Sequence, residues 1–248
     1  VRVYMLDLPI RLRGAQLKLL RPDWTHLKPV MVIGIPMGLS MVIMAASALV
    51  MTGLINREGV DTIAAYNAAN QLWSYIQMPA FAVASAVSAM AAQNIGAGRW
   101  DRISAIATIG CWFNILMTGV LLVAMLLTDH FLLGLFLPLG SKAIAIGEHI
   151  DLLIAWTFVP IGISMVLTSI VRANGAVAMP FAILLISVIV VRMSVGFALY
   201  PSFKADAIWW SFMASGLASA VLGAAYYFQG GWRRLAPAGR GMAPAPVE

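Results

Sequence analysis

The sequence predicts an all-α integral membrane protein with six transmembrane helices, and three observations lead to this prediction. Of the 248 residues, 61% are apolar and 10% are charged, whereas a soluble domain has roughly 45–50% apolar and about 25% charged residues. Several apolar runs are long enough to cross a hydrocarbon core about 30 Å thick at about 1.5 Å of helix rise per residue. The basic residues collect at the chain ends and in particular connections, as they do in membrane proteins of fixed orientation.

Apolar length and punctuation by proline and glycine divide the chain into six spans. We number them one to six and predict them over residues 30–54, 62–92, 103–127, 152–171, 180–200 and 208–228. The flanking composition predicts a cytoplasmic amphipathic connector over 1–26, a six-helix lobe over 27–230 and a disordered cytoplasmic tail over 231–248. A plain solvated linker is the alternative for 1–26. In the connection 128–148, the FLLGLF segment is too short to span, so we expect it to lie flat at the outer surface.

Charge predicts the orientation of the spans. An even number of spans places both termini on the same side of the membrane. The segments on that side carry twelve Lys and Arg residues, and the opposite loops carry only Arg57, Lys142 and Lys204. Because basic residues favour the cytoplasmic side, both termini are expected in the cytoplasm. The single Cys111 lies inside span three and predicts no disulfide framework.

The segment AAQNIGAGRWDR, residues 91–102, joins spans two and three and has two closely spaced glycines beside arginines. It does not have the Lys followed by Ser or Thr that a Walker loop requires, and no strand precedes it, as a dinucleotide fingerprint requires. We therefore expect a turn that ends the helix, in which Gly96 and Gly98 take positive φ. Gln93 and Arg99 complete this turn, and the Arg99 side chain is expected at the level of the lipid headgroups.

At this position QNIGAGRWDR resembles the signature that ends the second span of each half in the multidrug and toxic compound extrusion (MATE) family of transporters. The resemblance continues through GIPMGLS, IAAYNAANQLWSYIQMPAFAVASAVSAMAAQNIGAGR, VRANGAVAMPF, Arg192, AIWWS and WRR. It implies that the chain forms one lobe, the C-terminal half, of a twelve-helix MATE-type transporter in the bacterial cytoplasmic (inner) membrane, with residues 1–26 connecting the halves. The expected partner is an N-terminal six-helix half, and the chain, which begins with Val, is expected to be a fragment or truncated product.

One face of span two carries a polar stripe at helical spacing. Its candidate substrate-binding residues are Asn67, Asn70, Gln71, Ser74 and Met78, and the stripe continues through Phe81, Ser85 and Ser88. Leu72, Trp73 and Ile76 lie on other faces. Because amides that face lipid are costly, the stripe is expected to face protein or a wet cavity. Interhelical hydrogen bonding is the alternative to a cavity wall.

Span one carries a second stripe, which is rich in methionine. Its candidate substrate-binding residues are Met37, Ser40 and Met44, and Met41, Ser47 and Met51 follow the same spacing. Methionine side chains are flexible and polarizable, so they can repack around dissimilar ligands. This favours a polyspecific drug site, with ordinary helix packing as the alternative.

Proline interrupts three of the spans, at Pro36, Pro79 and Pro160. Each removes one backbone hydrogen bond, and broken helices mark moving elements in many transporters. The three positions are therefore candidate hinges, with static kinks as the alternative. Arg192 is the one formal charge predicted deep within a span. We expect it to snorkel outward or to pair structurally with neighbouring helices, and direct contact with a cationic substrate is less favoured.

No Asp or Glu is predicted well inside a span, and Asp151, at the outer edge of span four, comes nearest. A proton or sodium antiporter needs a carboxylate within the membrane, and the resemblance implies coupling by such acids. We therefore expect the coupling carboxylate on the missing first half, with Asp151 as a weak candidate. The histidines His26, His130 and His149 have no metal-ligand spacing, and no nucleophile–base constellation is present. No metal site, cofactor or enzymatic activity is expected.

The function that the resemblance implies is one lobe of a multidrug efflux antiporter, coupled to protons or sodium and exporting amphipathic organic cations. Membrane lipid is an expected partner. Nucleic acid is not, because no basic stripe interleaved with aromatics is present. Two alternatives stay open. A lipid-linked oligosaccharide flippase would need a strongly cationic cavity, for which only Arg192 qualifies, and a non-transporting scaffold or relic half-transporter would show no drug-dependent ion flux.

Overall fold

The computed structural model describes residues 23–234, and six helices in that range are long and apolar enough to cross a membrane. Spans one to six are Trp24–Ile55, Val60–Gly96, Asp101–Gly134, Lys142–Ala173, Ala178–Phe203 and Ala205–Gln229. No strand occurs in this described part of the chain. The prediction of an all-α membrane protein with six spans is confirmed, and each span is longer than predicted at both ends.

The ends of the lobe differ from the predicted boundaries. Span one begins at Trp24, where the Asp23 carboxylate caps the helix by accepting a hydrogen bond from the Thr25 amide at 3.0 Å. At the other end, Gly231–Arg234 forms a 3₁₀ turn in which Trp232 is fully buried. The lobe therefore includes the first four residues of the predicted tail. Residues 1–22 of the predicted connector and residues 235–248 of the tail lie outside the described range.

Span four lies at the centre of the bundle and packs on spans two, three and six, whereas span one lies at the edge and mainly contacts span five. Small residues bring these helices together. Gly110 of span three faces Val87 and Val166, and Gly223 of span six faces Ser164. Side chains at these two glycines would push spans three and six away from their neighbours.

The structure corrects the interpretation of residues 128–148. Span three continues to Gly134 and span four begins at Lys142, so FLLGLF completes a spanning helix and starts a tight turn, and it does not lie flat. The helix extends because apolar residues continue after Asp129 and His130. Asp129 and Asp151 consequently both lie inside helices.

The helices are interrupted in two places. In span four, a 3₁₀ turn at Ala155–Thr157 directly precedes the helical segment that contains Pro160, since proline is tolerated in the first turn of a helix. Span five contains a π-helical stretch at Ile186–Arg192, which the sequence does not predict. Pro36 and Pro79 lie within continuous helices. The hinge role of these three prolines stays a prediction.

The turn after span two is a Schellman motif. Gly98 has a φ of 72°, its amide donates to Ile95 O at 3.0 Å, and the Arg99 amide donates to Asn94 O at 2.8 Å. The expectation of a positive φ at Gly96 is wrong. Gly96 is the last residue of the helix, because the motif requires a left-handed residue only at the following C′ position.

Replacing Gly98 with alanine is expected to destabilise the full-length protein by about 1–2 kcal/mol, because a residue with a Cβ resists the left-handed conformation. Gly96→Ala is the matched control. Gly96 is helical and no atom lies within 4 Å of the place a Cβ would occupy, so this change should be neutral or stabilising by up to about 1 kcal/mol. Thermal unfolding in detergent measures both. Equal losses in the two variants would contradict the geometry of the turn.

Candidate functional site

The polar stripe of span two faces away from the bundle core. Asn67, Asn70, Gln71, Ser74 and Met78 are all exposed, whereas the opposite face of the helix is buried. Among the described residues, no hydrogen bond engages the side-chain amides of Asn67, Asn70 or Gln71. This face can therefore contact a ligand or a second protein surface, and substrate binding by these residues stays a prediction.

The methionine stripe of span one divides into two parts. Met37 and Met44 are exposed and Ser40 is half-buried. Ser47 and Met51, by contrast, are buried and contact side chains of spans five and six. The structure therefore restricts the candidate ligand surface of span one to residues 37–44.

Arg192 lies between spans one, five and six. Its Nε donates to Ser215 Oγ at 3.0 Å, its Nη1 donates to Ser47 Oγ at 3.3 Å, and its Cζ lies 4.5 Å from the centre of the Phe212 ring. The residue ends the π-helical stretch of span five, a local geometry that is rare and changes the direction of side chains relative to an α-helix. Arg192 therefore pairs with side chains of the neighbouring spans one and six and does not extend outward to the membrane surface.

A pair of buried carboxyl groups joins spans three and four. Asp151 is 0% exposed and Asp129 is 7% exposed, and their side chains lie within hydrogen-bonding reach of each other. The Trp73 indole Nε1 in span two donates to Asp151 Oδ1 at 2.5 Å. Among the described residues, no donor reaches Asp129 Oδ1 or Asp151 Oδ2. One proton held between the two carboxyl groups would give each group a hydrogen-bond partner.

Aromatic side chains hold the Trp73 ring in place. The Tyr66 ring meets Trp73 edge to face with 6.1 Å between centroids, and the Phe158 ring lies 5.9 Å from Trp73. Tyr66 in turn stacks on Trp209 of span six at 5.9 Å. Each such pair stabilises the fold by about 0.5–1.5 kcal/mol beyond its burial, so the donor to Asp151 is held on several sides.

Two histidine–carboxylate pairs lie near the buried acids. His130 Nδ1 lies 2.7 Å from Glu148 Oε1, and His149 Nε2 lies 3.0 Å from Asp206 Oδ1. These four side chains are at least 40% exposed, and His130 directly follows Asp129 in span three. Titratable groups therefore extend from the buried pair to the surface.

The signature turn lies at the opposite end of the bundle from the acid pair. Gln93, Gly96, Gly98 and Arg99 are exposed there, and Gln93 O accepts a hydrogen bond from the Ala97 amide at 3.0 Å. The described basic residues at this end are Lys28, Arg99, Arg102, Arg172, Arg233 and Arg234, and those at the other end are Arg57, Lys142 and Lys204. The helices thus separate the basic residues as the positive-inside pattern requires.

The sequence pattern alone does not reveal the acid site. A signal for Asp129 exists, because LLVAMLL precedes it and FLLGLF follows it, and one helix could pass through both. No comparable signal brings Trp73 to Asp151, since the two residues belong to different helices. Asp151 is the one member of the site that the sequence identifies as a candidate.

Residues 36–198 match the MatE family. A probable multidrug resistance protein of Bacillus subtilis (strain 168), YoeA, is 30% identical over 197 residues, which are 79% of this chain and 42% of that protein. A second from the same organism, YpnP, is 30% identical over 171 residues, 69% of this chain and 38% of that protein. The probable multidrug resistance protein NorM of Synechococcus sp. is 32% identical over 143 residues, 57% of this chain and 30% of that protein. The chain thus spans less than half the length of these curated relatives.

The matched region contains the amide stripe of span two, both buried acids and Arg192. The relatives are transporters and not enzymes, and the six spanning helices make the chain a multi-pass membrane protein. Since the match extends over most of the chain and over five of its six spans, the chain belongs to the MatE family.

Proposed function

We propose that this chain is the C-terminal lobe of an efflux transporter that exports amphipathic organic cations, and that a proton on the Asp129–Asp151 pair is the coupling ion. The relatives support drug transport in outline, because each is named a probable multidrug resistance protein. Their greater length supports a second lobe of similar size. The observation that carries the proposal is the buried carboxyl pair.

The carboxyl pair can bind and release a proton as its surroundings change. Two carboxylates in contact inside a helical bundle cannot both be charged without a large cost in free energy, so the closed pair retains one proton. Separation of spans three and four toward water would remove that cost and release the proton. His130 and Glu148, which are exposed, can pass it to solvent. An antiporter needs a group of this kind within the membrane.

The donors around the pair favour a proton over sodium. Trp73 directs its indole hydrogen at Asp151 Oδ1, and an indole N–H is a donor only. This hydrogen competes with a metal cation for the carboxylate, whereas it is compatible with a proton shared by the remaining oxygens. Drug-driven sodium flux without proton flux would overturn this choice of ion.

The open faces of spans one and two form the substrate wall in this proposal. The wall combines the amides of Asn70 and Gln71 with the thioethers of Met44 and Met78. Thioethers adapt to dissimilar ligands, and amide oxygens can face a cation. The guanidinium of Arg192 points into the lobe, so it does not repel a cation at this wall. The second lobe would close the wall from the other side, and rocking of the lobes would move the substrate outward.

The same proposal places both ends of the lobe on the cytoplasmic side of the bacterial inner membrane. The concentration of basic residues at the end with the signature turn supports this orientation. The relatives from Bacillus subtilis and Synechococcus support a bacterial membrane.

Replacing Asn70 and Gln71 together by leucine should lower the drug resistance of cells that produce the full-length protein, because both exposed amides would be lost from the wall. The amount of protein in the membrane should not change. Asn56→Leu is the matched control, since it removes an exposed amide from the connection Asn56–Glu58 outside the wall. Growth in a drug series and quantification of the protein measure both. Unaltered resistance in the double variant would remove these residues from the wall.

Reconstitution of the full-length protein in liposomes separates the proposal from its alternatives. A coupled exporter moves protons when drug is added, a scaffold moves none, and a flippase moves a lipid-linked glycan without drug. The position of Arg192 argues against the flippase. This cation pairs with Ser47 and Ser215 inside the lobe, so it does not offer a pyrophosphate site on the open face.

A further inference from the structure

A groove on the side of the bundle lies between spans three and six, and residues of span four form its floor. It is distinct from the proposed substrate wall. Its volume is about 460 Å³. The groove exists because spans three and six each pack on span four through small residues, Gly110 and Gly223 among them, and do not pack closely on each other. One end of the groove lies at the end of the bundle that carries the signature turn.

The groove matches one leaflet of a bilayer in length. Its span three wall runs from Ser104 to Ile115, which is about 16 Å of helix, and one hydrocarbon leaflet is about 15 Å thick. Trp112 and Phe228, which are 67% and 77% exposed, line it at the surface. An acyl chain in the groove would therefore reach from headgroup level to the bilayer midplane.

The turn after span six holds Arg233 at the headgroup end of the groove. Buried Trp232 donates from Nε1 to Tyr227 O at 2.9 Å, and Asn174 Nδ2 donates to Trp232 O at 2.8 Å. The Arg233 Cζ lies 5.4 Å from the centre of the Trp232 ring, and the Tyr227 side chain lies beside the guanidinium. Because Trp232 is anchored twice, the position of Arg233 is set by the fold.

The two ends of the groove differ in polarity as the two ends of a phospholipid do. Arg233, Ser104 and Thr108 supply a guanidinium and two hydroxyl groups at one end, and the deeper lining includes Ile115 and Ile163. A guanidinium binds phosphate oxygens in a bidentate manner. A second groove, between spans two and three, holds about 380 Å³ and is lined only by apolar residues, so it offers no contact for a headgroup.

We propose that the groove between spans three and six binds one anionic glycerophospholipid. Its phosphate contacts Arg233, and one acyl chain lies along spans three and four. The charge of Arg233 excludes the organic cations of the substrate wall from this site. The bound lipid joins spans three and six where their side chains leave this groove open.

Native mass spectrometry of the full-length protein tests the site, with phosphatidylglycerol and phosphatidylcholine of identical acyl chains as probes. The wild-type protein should retain phosphatidylglycerol in preference. Arg233→Gln should weaken that binding about fivefold, the effect of one basic residue on an anionic lipid. Arg234→Gln is the matched control, because Arg234 is exposed and does not line the groove, and it should leave the preference in place.

Filling the groove gives a second test that leaves the charges unchanged. Thr108→Trp should abolish the preference for phosphatidylglycerol, whereas Ala86→Trp, which fills the apolar groove between spans two and three, should not. Equal losses in Arg233→Gln and Arg234→Gln would show general attraction to the surface and overturn the proposal. So would a wild-type protein without preference, or a gain of lipid binding on deletion of residues 235–248, which would identify the tail as the occupant.

Discussion

Asp151→Asn is expected to abolish drug-driven proton movement by the full-length protein in liposomes while drug binding persists. Asparagine has nearly the same volume, and its Oδ1 can still accept the hydrogen bond from Trp73. The asparagine side chain cannot gain or lose a proton, so Asp129 no longer has a second carboxyl group with which to share a proton. Asp129→Asn should have the same effect, because coupled carboxyl groups titrate as a unit.

Asp61→Asn is the control for this experiment, since Asp61 is an exposed acid in the first turn of span two. The proton flux of the Asp61→Asn variant should equal that of the wild-type protein. A pH-sensitive dye inside the liposomes reports flux, and quenching of a fluorescent drug reports binding. Wild-type flux in Asp151→Asn would place the coupling carboxylate on the other lobe instead.

Gly162→Ala is expected to lower the free energy of unfolding by about 1–3 kcal/mol, the cost of overpacking. A Cβ at Gly162 would overlap Asn114 Oδ1. Asn114 is fully buried in span three, where its Oδ1 accepts a hydrogen bond from Thr118 Oγ1 at 3.4 Å. The clash therefore falls between spans three and four, the two helices that carry the acid pair, and the substitution should impair transport as well as stability.

Gly119→Ala, on span three, is the matched control, because no atom lies within 4 Å of its Cβ position. Its melting temperature should be at least that of the wild-type protein. Adding Asn114→Ala to Gly162→Ala should recover part of the loss, and a double-mutant cycle gives the coupling between the two positions. Additive effects in that cycle would contradict the close contact of the two residues.

The number of spans could be predicted because the length of an apolar run is a property of a single helix. The 3.6-residue periodicity also places the amides of span two and its Leu72 and Ile76 on different faces, but it does not say which of these faces packs inside the lobe. Helix ends were less predictable. The apolar runs on both sides of Asp129 allow span three to continue through it. The partner on span four that lets this acid be buried is not visible in any local pattern.

The acid site could not be predicted because its members come from three helices. A lone Asp beside an apolar run indicates the end of a span, since an unpaired charge is costly in lipid. Only the contact between Asp129 and Asp151, with the Trp73 donor, reverses that inference. Arg192 is similar: its sequence position allows snorkelling or pairing, and Ser47 and Ser215 on other spans decide between them.

Trp232 is fully buried in the turn that follows span six, and this limits where a reporter protein can be fused to the chain. A fluorescent protein joined directly after Gln229 would remove an indole that packs beside Val171 and Tyr227. It would also remove the Trp232 carbonyl oxygen to which Asn174 Nδ2 donates a hydrogen bond. A junction placed after Arg234 keeps Trp232 and its contacts in place, so fusion and truncation designs should retain residues 230–234.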